Sequence, residues 1–134
     1  MSELQKRLGK YVKAVRLGNL NKETEYVLNY LNVEKPELIE SLEDGQEVIL
    51  VDHNEFAQSA ENIEKAKVKM VVDHHRICNF QTAEPLYYRA EPVGCTCTVL
   101  YKMYKENNIE IDEKIAGLML SAIISDTLLL KSPT

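Results

Sequence analysis

Apolar positions along this chain follow two alternating patterns. Short, dense apolar runs occur at 47–53 (EVILVDH) and 67–75 (KVKMVVDHH). Runs of that length, rich in valine and isoleucine, predict strands buried on both faces of a parallel sheet. Around them lie segments with helical spacing. Residues 21–33 put Val27, Leu28 and Leu31 on one side, with Asn21 as N-cap and Thr24 and Glu25 in the first turn. Residues 96–108 turn Val99, Leu100, Met103 and Tyr104 inward. Residues 112–126 form a largely apolar helix capped by Asp112. Weaker signals predict a helix end around Leu4 and Leu8 that stops at Gly9, a strand at 11–17 and a helical turn after Pro36. They add a helix at 59–66 and a short strand at 86–92.

Strands alternating with helices predict an α/β fold: three layers, with a mainly parallel sheet covered by helices on both faces. Residues 1–134 read as one domain, without repeats, linkers or low-complexity stretches. The chain opens inside a helix and closes on the apolar run LLLKSPT. The expectation is a fragment of a longer protein, whose sheet lacks its first strand.

Composition narrows the function. The chain has 134 residues, 45% hydrophobic and 28% charged, with a net charge of −5. That balance gives no sign of a duplex-binding surface and leaves room for a small anion only at a local positive site or a metal. Three cysteines, Cys78, Cys95 and Cys97, form no disulfide framework. With no signal peptide and no apolar run of membrane-spanning length, a cytoplasmic home is expected. Cys95 and Cys97 lack the spacing of a zinc site and read as small residues at a helix start.

All three histidines follow an acidic run-end: His53 after Asp52, and His74-His75 after Asp73. In open α/β sheets, ligands bind beyond the carboxyl ends of the strands. Two parallel strands ending in these residues would set them along one rim. A third acid, Asp126, follows the apolar helix and needs a partner there. Carboxylates with imidazole make a mixed oxygen and nitrogen set, suited to Mn2+, Zn2+, Fe2+ or Co2+ better than Ca2+. His53 reads as an ordinary turn residue, with Asp52 rather than His53 facing inward and Asn54 marking a turn. Of His74 and His75, one is expected to bind metal and the other substrate. Arg76 and Lys131 are candidates to offset phosphate charge. Cys78, Tyr101 and Tyr104 read as packing residues.

The triplet Asp73-His74-His75 resembles the signature of the DHH phosphoesterase superfamily. Within it, the runs VDHNE, VVDHHRICNF, EPVGCTCTVLYKMYKE and SDTLLLKSPT resemble the manganese-dependent (family II) inorganic pyrophosphatases. The resemblance implies a Rossmann-like DHH domain that uses Mn2+, two per site, with Co2+ or Mg2+ as substitutes. It implies that Asp52 bridges the two metals and that His74 and Asp126 bind the second. It implies that His75 contacts substrate phosphate and that Asp73 orients a histidine by hydrogen bonding. The implied reaction is hydrolysis of pyrophosphate to two phosphates, with Asp52 and His75 at its centre and a hydroxide between the metals as nucleophile. The resemblance also implies a homodimer of the parent protein, with no nucleic-acid or membrane partner expected. Alternatives are a DHH phosphodiesterase or phosphatase on nucleotides or oligonucleotides, and a non-catalytic metal-binding remnant. The family's G-H-x-x-P-D-x-D motif and C-terminal domain are absent from these residues. Weak activity and poor stability are therefore expected of the chain alone.

Overall fold

The structure, a computed structural model, describes residues 1–132. Its elements in chain order are α1 (Ser2–Arg7), β1 (Val15–Arg16), α2 (Lys22–Tyr30), β2 (Glu37–Leu38), β3 (Glu47–Val51), β4 (Lys67–Asp73), β5 (Tyr87–Ala90), α3 (Thr96–Glu106) and α4 (Glu113–Asp126). Two 3-10 turns, Phe56–Gln58 and Ile63–Lys65, link β3 to β4.

All strand pairs are parallel. β3, β4 and β5 form one sheet in that order, and β1 pairs with β2 in a second. The alternation of strands and helices thus yields the α/β architecture. Capping does what the side chains predict. The Asn21 side chain accepts from Thr24 N at 2.7 Å, and Asp112 Oδ1 accepts from Ile115 N at 2.9 Å. Each satisfies an amide that the first helical turn leaves without a backbone partner.

Three segments differ from the local pattern. Residues 36–42 are extended rather than helical. Glu37 and Leu38 pair with Val15 and Arg16, and the Ile39 amide donates to the Arg16 carbonyl. The strand expected at 11–17 shrinks to those two paired residues. Residues 59–66 are not an α-helix. Asn62 takes a left-handed conformation at φ 63°, and Glu61 pairs across to Ser41. The Leu42 amide donates to the Glu61 carbonyl, and the Glu61 amide to the Glu40 carbonyl. Such bonds between distant segments outweigh a helix of barely two turns, which is marginal on its own.

Core placement follows from β4. Val71 and Val72 are both fully buried. Successive strand side chains point to opposite faces, so β4 is covered on both. Val72 packs with Leu4, Val99, Leu100, Met103, Tyr104 and Met119, while Val71 packs with Leu42, Leu50, Ala60, Ile63 and Val68. Each fully buried valine contributes about 1.5–3 kcal/mol. An apolar trough runs along β3, lined also by Val15, Leu17 and Ile39.

Register positions the site. Val51 pairs with Val72, and Asp73 with Ala90. The Asp52 amide donates to the Val72 carbonyl at 3.0 Å. The carboxyl ends of β3 and β4 therefore emerge side by side, and the segment after β5 leads directly to the start of α3.

Candidate metal centre

Asp52 is the first residue beyond β3. Its backbone is left-handed, at φ 69°. L-residues resist that region, although aspartate tolerates it better than most. The turn lifts its side chain onto the rim, where it is about half exposed, and Oδ1 accepts a hydrogen bond from the Thr96 hydroxyl at 2.7 Å.

His74 lies beyond β4. Its Nδ1 is 2.7 Å from the Val93 carbonyl oxygen. A carbonyl only accepts, so Nδ1 carries the proton and donates. In the neutral ring the lone pair then sits on Nε2, which lies 3.6 Å from Asp52 Oδ1. This is the arrangement that orients metal-binding imidazoles.

His75 turns its Nδ1 to Asp73 Oδ1 at 2.8 Å, and the two histidine rings lie 4.1 Å apart. The Asp73 hydrogen bond holds the His75 pKa above its usual range despite burial, with further help from the charges of Asp52 and Asp126. Ligand atoms of Asp52, His74 and His75 all lie within 4.8 Å of one another. His75, which the resemblance assigns to phosphate, thus stands in the same cluster as the two expected metal ligands.

Asp73 is fully buried at the end of β4. Burial opposes its charge, but hydrogen bonds from Asn54, from the His75 ring and from the His75 and His74 amides outweigh it. They hold the carboxyl below the usual aspartate range. Asp73 therefore fixes the turn that presents both histidines.

Asn54 is the residue that the sequence understates. It reads as a turn former, yet it is 1% exposed. Its Nδ2 donates to Asp73 Oδ2 at 2.8 Å and to the Arg76 carbonyl at 2.9 Å, and its Oδ1 accepts from the Cys78 amide at 3.0 Å. One amide joins the turn after β3 to the turn after β4. The signal available in the sequence was its place within the VDHNE run. His53 points elsewhere, its ring nitrogens bound to the Val51 carbonyl and the Ser59 hydroxyl.

Asp126 is the last residue of α4. Its charge reaches His75, and its carboxylate lies against the Cys95 thiol, whose pKa is pushed up chiefly by burial and then by Asp126. It stands near the three-residue cluster but outside it. Arg76 is exposed and 3.9 Å from Glu55, and Lys131 is exposed in the turn after α4. Cys95 caps α3, accepting from the Cys97 amide at 3.3 Å. That is the helix-start role expected of it.

Two imidazole nitrogens and a carboxylate oxygen suit a borderline divalent cation. The free Nε2 of His74, aimed beside Asp52, fits that group. No helix among the described residues is long and apolar enough to cross a membrane.

Comparison with known proteins places the chain in a family. Residues 5–123 match the N-terminal domain of the DHH family. The chain is 64% identical over 133 residues to a protein of Oceanobacillus iheyensis described as a probable manganese-dependent inorganic pyrophosphatase. That match covers 99% of this chain and 43% of the relative. A protein of Enterococcus faecalis with the same description is 60% identical over 132 residues, covering 98% of this chain and 43% of its own length. The chain thus spans less than half the length of these relatives. Among solved structures, a chain from Methanococcus jannaschii described as a "putative family II inorganic pyrophosphatase" superposes with a TM-score of 0.84 at 45% identity. The superposition covers 90% of this chain and 41% of that one. With the match spanning most of its length and the Asp73-His74-His75 turn built as described, the chain belongs to the DHH family.

Proposed function

We propose that these residues supply part of the active site of a manganese-dependent inorganic pyrophosphatase, which hydrolyses pyrophosphate to two phosphates. The observation that carries the reading is the open Nε2 of His74 beside the Asp52 carboxylate at the carboxyl rim of parallel strands. The descriptions of the bacterial relatives and of the Methanococcus structure support the substrate and the metal.

On this reading Asp52 and His74 hold Mn2+, with Asp126 approaching from the end of α4. Bound divalent cations lower the pKa of water and neutralise phosphate charge. The chain's own residues do the rest. Asp73 locks the histidine turn and keeps the His75 Nδ1 proton in place, so that Nε2 of the His75 ring faces outward. Protonated, that face donates to a phosphate oxygen and stabilises charge as the bond to the leaving phosphate breaks. Arg76 and Lys131 are the flexible cations available to the departing phosphate. The three free thiols support a cytoplasmic home. Among the described residues the outer edge of β5 has no strand beside it, which supports a homodimer joined edge to edge.

The test is hydrolysis by the whole protein with Mn2+, read as phosphate release from pyrophosphate and as mononucleotide release from a short oligonucleotide or cyclic dinucleotide. Turnover of pyrophosphate far above that of the nucleotides is expected, together with its loss in Asp52→Ala. Preference for the nucleotide would replace this reading with a DHH phosphodiesterase.

A further inference from the structure

The start of α3 reaches back to the metal cluster in a way that its own helix does not need. Thr96 opens α3 and is 2% exposed. The cap of this helix is made by its neighbour, Cys95. The Thr96 hydroxyl instead crosses to Asp52 Oδ1 at 2.7 Å, a residue 44 positions earlier. Three residues before it, the Val93 carbonyl holds His74 Nδ1. One short segment, 93–96, therefore grips both groups that face each other across the 3.6 Å gap between His74 Nε2 and Asp52 Oδ1.

We propose that Thr96 is a positioning residue of the metal centre, whose hydroxyl fixes the rotation of the Asp52 carboxylate and so sets how it presents its oxygens to a divalent cation. This rests on the reading of Asp52 as a metal ligand. The physical need is clear. Asp52 stands on a left-handed turn and its side chain is about half exposed, so packing alone does not hold it. A hydrogen bond from a buried hydroxyl to an ionised acceptor is short and strong, and costs little to maintain because Thr96 is already immobilised in the core. The hydroxyl also uses one lone pair of Oδ1 and leaves the remaining pairs of both oxygens for metal. Loss of such supporting hydrogen bonds weakens metal binding by about 10- to 100-fold in comparable centres.

The experiment is Mn2+ titration of the whole protein by calorimetry and by the electron paramagnetic resonance signal of free Mn2+. Wild type, Thr96→Val, Thr96→Ala, Thr96→Ser and Asp52→Ala are compared, each checked for helix content by circular dichroism. Thr96→Val and Thr96→Ala are expected to bind about 10-fold or more weakly, while Thr96→Ser, which keeps the hydroxyl, binds near the wild-type level. A purely structural role would lower the melting temperature and leave the affinity alone. A folded Thr96→Val or Thr96→Ala with wild-type affinity overturns the inference and leaves the Asp52 reading standing. Absent binding by wild type, or undiminished binding by Asp52→Ala, overturns both.

Discussion

The Nδ1 of His74 lies 2.7 Å from the carbonyl oxygen of Val93, and this contact decides which nitrogen of the ring is open. The acceptor is a main-chain carbonyl, so the contact does not depend on the identity of the Val93 side chain. The imidazole is held with Nε2 toward Asp52. Replacing His74 with alanine removes the Nε2 ligand and also the hydrogen bond to the Val93 carbonyl. Mn2+ affinity of His74→Ala is expected to fall by at least about 10-fold, the scale of losing one oriented ligand or its support. Calorimetric titration of the variant checks this. Equal affinity in variant and wild type would remove His74 from the metal centre.

Asn54 uses every polar atom of its side chain on buried partners. Asn54→Ala leaves Asp73 Oδ2 and the Cys78 amide each without that partner. Orphaned buried groups of this kind cost about 1–3 kcal/mol each, so a loss of about 2–4 kcal/mol is expected in urea unfolding. Asn54→Asp, nearly identical in shape, sets a second carboxylate against the buried Asp73 and should be the worse of the two. A stable Asn54→Asp would show that the amide donor to Asp73 is dispensable.

Arg89 ties the edge strand to the helix above it. Its guanidinium bonds Glu106 through both Nη1 and Nη2, at 2.5 and 2.9 Å, and reaches Glu91 Oε1 at 2.9 Å through Nε. Lys102 also bonds Glu91. Lys102 and then Arg89 pull the Glu91 pKa below its ordinary 4.5, and the Arg89 bond does the same for Glu106. A carboxylate whose folded pKa is depressed stabilises the fold above its unfolded pKa and loses that stability as pH falls through the folded value. Arg89→Met should therefore be less stable than wild type at neutral pH, with the gap closing below about pH 4. Melting curves of the two proteins across that range check the sign. A gap that widens in acid would contradict it.

Gly117 lies inside α4 against Leu31. A Cβ built there would come within 2.8 Å of Leu31 Cδ2. The far end of a leucine can shift, so Gly117→Ala should be close to neutral. Its helix-propensity gain of about 1 kcal/mol is offset by repacking. In a Leu31→Ala background the obstruction is gone, and Gly117→Ala should then stabilise by most of that gain. A double-mutant cycle measures the difference directly. Zero coupling between the two positions would mean that α4 and Leu31 do not meet as described.

What was legible in the chain was local. β3 and β4 follow from dense apolar runs, and α2, α3 and α4 from helical spacing and from the caps Asn21 and Asp112. In each case the deciding contacts lie within a few residues. Residues 36–42 and 59–66 could not be read this way. Their backbone bonds go to Arg16 and to each other across the gap from Ser41 to Glu61. Those partners are remote in sequence, so local propensity carries no trace of them.

The same division runs through the site. By itself the sequence determined which chemical groups stand at the ends of the buried runs: Asp52, Asp73, His74 and His75. It did so because a side chain's chemistry and its place at a strand end are both local properties. Tertiary structure alone decided that Asn54 is a buried bridge rather than a turn former, and that the Val93 carbonyl selects the His74 tautomer. It alone set the Thr96 hydroxyl on Asp52. Hydrogen bonds have a reach of about 3 Å, so they form only after parallel register and the packing of α3 on β4 have fixed the distances between segments far apart in the chain.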